Sequence, residues 1–502
     1  MSQIRRQSII SSLMVYFGFA LGFFNTYLFT KEGGFSKEQY GLTGIFIAVA
    51  NLMFSLANLG MPSYILKFFP YYKDNLDKRN NDILAWSLVV SLVGFCFVVI
   101  GGIYFKDLIF YKFGQNSPDL IKYYYWIFPY GLGLTLYTIL ESYAWQLKKS
   151  IFTNFLREVQ WRLFTTILIL LNFAGILADF DLFIKLYSFA YLAIALILLI
   201  YLLANGYVHL TFKVSIVTKK YFKKIVSLAK FVYGGSLVFA ISNVFDSILL
   251  ASVSSNGLAA VAVYSLAQNV ASLIQAPQRG IISSSVSALS QAWKDKDYSR
   301  INRIYKQSSI NQLIFAVGMF SLIWLNFADG IFTFHLQTGY VDARWVFFFI
   351  GLMRIIDMGT GVNSQIISTS TLWKFEFFTG IILFLLTLPL NYILTKYYFD
   401  IKGPAIANLF TFTIYNGIRY WYLQKKFNMQ PFTKHTFYTI ILGVFAFYCC
   451  YFLFDKYQGF IWLVARSLCF IALYGSGILI LGLSSDIMPI WKTLQKRAGI
   501  KR

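Results

Sequence analysis

Fourteen long apolar segments run through this chain of 502 residues, and they constrain its fold more than any other feature. The first seven cover roughly 8–30, 39–66, 83–104, 122–145, 156–177, 183–204 and 226–252. The second seven cover roughly 259–292, 307–327, 343–370, 376–398, 404–423, 436–454 and 461–482. One helical crossing of a bilayer needs about 20 apolar residues. Lipid offers no partner to backbone groups, so a span is a helix or part of a closed barrel. Barrel strands are short and alternate polar with apolar, whereas these runs are long and continuously apolar. The expected fold is all-α: a polytopic membrane protein of about 14 transmembrane helices. Only 13% of residues are charged, about half the share of a soluble domain. A water-soluble enzyme, a disordered chain and a secreted disulfide scaffold are excluded. Cys96, Cys449, Cys450 and Cys469 all lie inside apolar runs without metal-ligand spacing.

The net charge of +23 would suggest nucleic acid in a soluble protein. Here it reads as a topology signal. With the N-terminus in the cytoplasm, 28 of the 44 Lys and Arg residues fall on the cytoplasmic side and 9 on the other. That bias is the positive-inside pattern of an even-numbered bundle with both termini cytoplasmic. Arg5 and Arg6 precede an apolar run too long for a signal peptide, so 8–30 is read as the first span. The expected organisation is an N-lobe of six spans over 1–204, a basic cytoplasmic linker over 205–225, and a C-lobe of six spans over 226–423. Two further spans follow over 424–482, then a basic cytoplasmic tail over 483–502. An even number of spans per half makes the halves parallel repeats.

Charge inside the membrane is costly, about 2.5–3.5 kcal/mol per residue on insertion scales, so the few charges near span centres are informative. Arg354 and Asp357 lie near the middle of span 10 at i, i+3 and can pair on one helix face. They form either a self-neutralising structural pair or a functional one. Gly351, Gly359 and Gly361 flank them and permit close packing or a break. Asp246 in span 7 shares a polar face with Asn243 and is read as a cation or proton site, with a hydrogen-bonded structural carboxylate as the alternative. Arg279 in span 8 follows Pro277, which kinks the helix, and is placed to meet an anionic substrate. Gln268, Asn269 and Gln275 make span 8 a cavity wall rather than a lipid-facing helix. Asn25 in span 1 belongs to the same candidate set. Glu141, Arg157, Glu158 and Arg162 gather near the cytoplasmic ends of spans 4 and 5. Mutual pairing is the plain account there and a cytoplasmic gate the functional one. Lys230, Arg419 and Arg466 are read as snorkelling residues.

No phosphate-binding G-x-x-x-x-G-K-[ST] and no H-E-x-x-H zinc motif is present. No histidine lies mid-membrane, external loops are short, and no repeated filter sequence suggests a channel. Transport without cofactor or metal is the expectation, and no nucleic-acid partner is expected.

Three stretches carry a resemblance to a known family. They are Gly41 to Lys67 (GLTGIFIAVANLMFSLANLGMPSYILK), Asn243 to Ser252 (NVFDSILLAS), and Tyr264 to Asn311 from YSLAQNVASLIQAPQRG onward. With the fourteen spans and the basic linker, the chain resembles the polysaccharide (O-antigen) exporters of the multidrug/oligosaccharidyl-lipid/polysaccharide exporter superfamily. The resemblance implies a MATE-like fold of two six-helix lobes, with spans 13 and 14 peripheral. It implies a flippase that moves a polyprenyl-pyrophosphate-linked oligosaccharide across the bacterial inner membrane by alternating access. Its partners would be the lipid-linked substrate, bilayer lipids, and the glycan polymerase and glycosyltransferases of the same pathway. The seventh-span acid of the family maps onto Asp246 as a coupling-ion residue. One departure concerns the lipid II flippases of that superfamily, which carry basic residues deep in spans 1 and 2. Here span 1 has none after Arg6 and span 2 none before Lys67. A multidrug/cation antiporter and a membrane-embedded glycan polymerase or ligase are the competing readings.

Overall fold

The structure is a computed structural model that describes residues 3–177, 179–484 and 486. Within these, the side chains of residues 3–13, 15, 231, 232, 235, 236, 239, 243, 279, 283, 284, 287 and 373 lie outside the description.

The chain is built from helices. In order they are α1 Gln3–Thr30, α2 Lys37–Ala57, α3 Met61–Asn75, α4 Ile83–Tyr104, α5 Lys106–Phe113, α6 Pro118–Lys122 and α7 Ile127–Gln146. Next come α8 Ser150–Asn154, α9 Trp161–Phe173, α10 Phe180–Ser188, α11 Ala190–Ala204 and α12 Ile216–Val253. The remainder are α13 Gly257–Ser272, α14 Gln278–Lys294, α15 Tyr298–Thr333, α16 Ala343–Gly359, α17 Asn363–Thr369, α18 Trp373–Ile393, α19 Gly403–Phe427, α20 Lys434–Phe454 and α21 Phe460–Ile480. π-helical turns occupy Phe155–Gln160 and Leu394–Phe399.

Among the described residues, seven helical runs are long and apolar enough to cross a membrane, or eight if the bent pair around residue 361 is one span. The protein is a multi-pass membrane protein. One of the seven, Lys374–Phe427, is 54 residues long. At about 1.5 Å per residue it would extend about 80 Å, more than twice the hydrocarbon core of about 30 Å. It turns back at residues 394–402, because α18 packs along α19. Several expected spans are broken. Span 2 becomes α2 and α3, separated at Asn58–Gly60, where Gly60 takes φ 80. Span 5 becomes α8, a π turn and α9. Span 8 becomes α13 and α14 with turns over 273–277. Pro277 there caps α14 instead of kinking one continuous helix.

The stretch read as a linker is partly helical. Ser215 caps α12 by accepting from the Thr218 amide at 3.1 Å, and the helix runs unbroken for 38 residues into span 7. Lys219, Lys220, Lys223 and Lys224 are exposed, while Val217 and Ile225 are buried. The start of α12 is tied down by the fully buried Asp82 ahead of α4. Its carboxylate accepts from the Ser215 amide at 2.9 Å and the Thr218 hydroxyl at 2.8 Å.

Two compact units emerge, Met1–Ala262 and Val263–Arg502. In the first, Tyr64, Phe68, Phe69 and Tyr72 of α3 pack with Tyr137, Leu140 and Tyr143 of α7 and with Ile194 and Leu198 of α11. Backbones approach closely at glycine: a Cβ on Gly41 of α2 would overlap the Leu258 carbonyl, and one on Gly133 of α7 would overlap Leu192 of α11. In the second unit, α14, α15, α17 and α19 share a core around Leu289, Tyr305, Ile366 and Leu423. A separate cluster of Leu313, Val317, Cys450, Phe470 and Tyr474 joins α15 to α20 and α21.

Candidate functional site

In the first unit the ionisable groups collect at the π turn before α9. A π turn is a local widening of the helix that is found often at functional sites. Here the Glu158 carbonyl accepts from Arg162 Nη1 at 2.9 Å, and the Glu158 carboxylate accepts from the same nitrogen at 2.7 Å. Arg162 lies against α1. A Cβ on Gly18 would overlap the Glu158 carbonyl and Arg162 Nη1, and one on Gly22 would stand 3.1 Å from Arg162 Nε. Span 1 has no basic residue of its own beyond Arg6, yet α9 presents one to it. Asn25 fixes this joint. Its amide donates to the Arg162 carbonyl at 2.9 Å, and its oxygen accepts from the Thr166 hydroxyl at 2.6 Å. Beside it, Arg157 pairs with Glu141 of α7 at 3.1 Å. The Glu141 side chain is 2% exposed and that of Arg157 51%, so the carboxylate is buried and the guanidinium reaches outward. The expected mutual pairing of these four residues is present, as two pairs.

In the second unit the polar groups collect where α16 gives way to α17. The two helices meet at a bend of 48°, and Gly361 between them takes φ +63. The break leaves carbonyls outside the helical ladder, and side chains take them up: Ser309 of α15 donates to the Gly359 carbonyl at 2.5 Å. Asn416 of α19 bridges the break. Its oxygen accepts from Asn363 at 2.9 Å and Thr360 at 3.1 Å, and its amide donates to Asp357 at 3.2 Å. The other Asp357 oxygen accepts from Gln278 of α14 at 3.1 Å. Asp357 is therefore held by two amides. Among the described residues its pairing with Arg354 is not one of the ion pairs. The carboxylate faces Gln278 of α14 and Asn416 of α19.

A second carboxylate engages α19 about one turn beyond Asn416. Glu376 of α18 accepts from Ser364 at 2.7 Å and forms an ion pair with Arg419 of α19, which also meets the Tyr415 hydroxyl. Arg419 is buried, so the snorkelling reading fails for it. Arg466 differs from expectation in the same way. It is buried on α21, pairs with Asp329 of α15 at 3.3 Å and donates to the Tyr457 carbonyl at 2.8 Å. A carboxylate within reach removes the need to extend to water. Lys230 is exposed.

Of the other expected residues, Asp246 is buried on α12, Gln268 and Gln275 are half-buried, and Asn269 is exposed. Gln275 sits in the turns between α13 and α14. Arg354 is half-buried on α16. The side chains of Asn243 and Arg279 lie outside the described residues.

A family model described as "Polysaccharide biosynthesis protein" matches residues 4–293. The chain belongs to that family. No curated protein matches it. Among solved structures, the family member is similar to a lipid II flippase, MurJ, in an inward closed conformation. The TM-score is 0.75 at 18% identity, covering 94% of this chain and 98% of that one. It is similar to an inward-facing MATE multidrug resistance transporter of the MOP superfamily, with a TM-score of 0.61 at 15% identity over 85% of this chain and 95% of that one. A variant of the Vibrio cholerae MATE transporter VcmN gives 0.54 at 13% identity over 85% and 96%. At these identities the likeness is one of fold. The fold is that of MurJ and the MATE transporters.

Glu376, Asn416 and Gln278 were not singled out from sequence. Glu376 opens an apolar run and reads as an interfacial charge. Only the return of α19 along α18 sets it against Arg419, 43 residues away.

Proposed function

We propose that this protein is a flippase that moves a polyprenyl-pyrophosphate-linked oligosaccharide, the repeat unit of a surface polysaccharide such as O-antigen, across the bacterial inner membrane by alternating access. The supporting observation is the conjunction of a polysaccharide biosynthesis family match over residues 4–293 with a MurJ-like fold over 94% of the chain. Coverage falls to 85% against the MATE transporter, which favours the flippase over a multidrug antiporter. The proposal includes fourteen spans with both termini cytoplasmic. Arg279 and Arg354 would meet the pyrophosphate or an acidic sugar, and Asp357, Gln268, Asn269, Gln275 and Asn243 would meet sugar hydroxyls. Asp246 would carry the coupling cation. Glu141, Arg157 and Arg162 would form the cytoplasmic gate, with Asn25 setting the position of Arg162. Nothing in this scheme requires a catalytic residue.

Complementation of a deletion strain tests it. The deletion is expected to accumulate lipid-linked glycan on the cytoplasmic face, and the wild-type chain to restore surface glycan. Arg279→Ala and Asp246→Asn are expected to restore little. A deletion strain with no accumulated glycan refutes the function, and full rescue by both variants refutes the site.

A further inference from the structure

A stripe of lysines borders an apolar groove along the first half of α12. Thr218, Phe222, Val226, Ala229 and Tyr233 form one side of that helix and face Met61 of α3 and Trp86 and Val90 of α4 across a cavity of about 410 Å³. At about 100° per residue, Lys219, Lys223 and Lys230 follow on the adjacent edge, about 60–100° round the helix from the middle of that side. Lys220 and Lys224 stand about 160° away, both beside the Tyr221 ring. All five lysines are exposed. No Asp or Glu occurs between Asp181 and Asp246, and among the described residues no ion pair takes up any of the five. Asp82 at the helix start is already engaged by the Ser215 amide and the Thr218 hydroxyl.

Charge and length identify the occupant. Along α12 the lining ends at Tyr233, whose hydroxyl donates to the Leu56 carbonyl at 2.9 Å. From Lys223 to Tyr233 is about 15 Å at about 1.5 Å per residue, which is half of a hydrocarbon core. An acyl chain of ordinary length, with its phosphate at Lys223, fills that run. Lys230 lies about 10 Å further along the helix than Lys223, and its side chain leans back towards the helix N-terminus and that phosphate. An anion there relieves the cost of a lysine set so far along an apolar wall. Phe212, Ile216 and Phe222 are exposed among the lysines. Such a mixture of apolar and basic side chains suits a lipid surface and not water.

We propose that this edge of α12 binds an anionic glycerophospholipid, with the phosphate held by Lys219, Lys223 and Lys230 and one acyl chain in the cavity. The inference stands apart from the flippase reading, since it concerns a lipid of the bilayer and not the cargo. Any basic face draws anionic lipid by its field alone. This edge adds a fixed position, because Asp82 ties the start of α12 down and the cavity beside it takes the chain.

The test is native mass spectrometry of the full chain with phosphatidylglycerol and phosphatidylethanolamine of identical acyl chains. Each basic side chain near a lipid surface strengthens anionic-lipid binding about fivefold. Lys219→Gln with Lys223→Gln is therefore expected to weaken phosphatidylglycerol about 25-fold and to leave phosphatidylethanolamine unchanged. Lys220→Gln with Lys224→Gln removes the same charge from the far side of the helix. That side is about 10–12 Å away, a Debye length at about 0.1 M salt, so this pair is expected to matter far less. Equal losses from the two pairs would mean a diffuse field and overturn the site. Val90→Trp fills the cavity and is expected to weaken both lipids about tenfold or more, since losing contact with two methylenes already does so. Val226→Trp replaces it if Val90→Trp does not elute as a single species. Undiminished phosphatidylglycerol binding by the filled variant overturns the placement of the chain. Displacement of phosphatidylglycerol by an equal concentration of undecaprenyl phosphate would make the edge a carrier-lipid site and overturn the proposal as well. Neither phospholipid carries sugar, so the outcome is read independently of glycan export.

Discussion

Replacing Arg419 with Met separates a buried ion pair from a snorkelling side chain. The Arg419 side chain is 5% exposed and that of Glu376 20%. Without the guanidinium, Glu376 keeps the Ser364 hydroxyl at 2.7 Å and the Tyr415 hydroxyl at 3.5 Å. Removing one partner of a buried pair costs about 3–5 kcal/mol, because the other charge stays buried. Glu376 is only partly buried and retains a good donor, so the low end applies, about 3 kcal/mol. A snorkelling arginine would lose stem packing and an exposed pair worth at most about 1 kcal/mol. Glu376→Gln keeps an oxygen for Arg419 and should cost about 1–2 kcal/mol, the value of a charge-assisted bond reduced to a neutral one. In the double variant no charge is stranded, so its cost should fall below the sum of the two by about 1–2 kcal/mol. That coupling lies above the average of about 0.6 kcal/mol for interhelical hydrogen bonds in membranes, because both groups are ionised. The assay is reversible unfolding in mixed micelles, followed by circular dichroism and tryptophan fluorescence. An Arg419→Met variant within about 0.5 kcal/mol of the parent, or strictly additive single variants, would refute the buried pair.

Two further outcomes are expected. Gly361→Ala should destabilise by about 2 kcal/mol or more, since a left-handed backbone costs an L-residue about 1–2 kcal/mol and the new Cβ would lie 3.0 Å from the Ser309 amide nitrogen; an unchanged unfolding midpoint would show that the break tolerates a side chain. Asp297 caps α15, and its carboxyl is held below the ordinary value chiefly by the Arg300 amide and then by the Ser299 hydroxyl. A depressed folded pKa means that the cap contributes fully above the unfolded value of about 3.9 and is lost as pH falls through the folded one. Asp297→Asn should therefore flatten the acid limb of the stability profile while leaving the neutral plateau in place, and an acid limb identical to the parent's would place that titration elsewhere.

Hydropathy located the helices because lipid leaves the backbone no other choice, and it located their breaks less well. Pro277 and Gly361 stood out as residues that interrupt helices, and both mark breaks. The π turn at Phe155–Gln160 carries no comparable signal, since FLREVQ suits an α-helix equally well. The helical start of α12 was visible in principle. Ser215 ahead of Val217 and Ile225, with lysines between, is a capped amphipathic pattern. It was obscured because an apolar window opens only at 226. The pairs Glu376–Arg419 and Asp329–Arg466 join residues 43 and 137 positions apart. Spacing within one helix cannot reveal them, and insertion scales assign each charge to the nearest interface instead.

Polar residues in this chain gather where helices are irregular, and that coincidence has a physical cause. A broken helix frees backbone groups that lipid cannot satisfy, so side chains must be supplied there whether or not anything is transported. Ser309 and Thr360 serve the break at Gly361 in this way at the Gly359 and Asp357 carbonyls, and Asn363 at the Ser364 amide, as Arg162 serves the Glu158 carbonyl at the π turn. Such residues are accounted for by the fold and make poor evidence of a substrate site. What marks function is polarity in excess of that need. Asp357 holds a carboxylate against two amides although no backbone group requires it, and a neutral oxygen would satisfy those donors as well. Glu141 buries a second carboxylate against an arginine that remains half exposed. Each costs desolvation energy that a purely structural design would avoid. By that criterion Asp357 and the Glu376–Arg419 pair in one unit and the Glu141–Arg157 pair in the other are where binding or coupling should be sought first, ahead of the more numerous serines and asparagines around them.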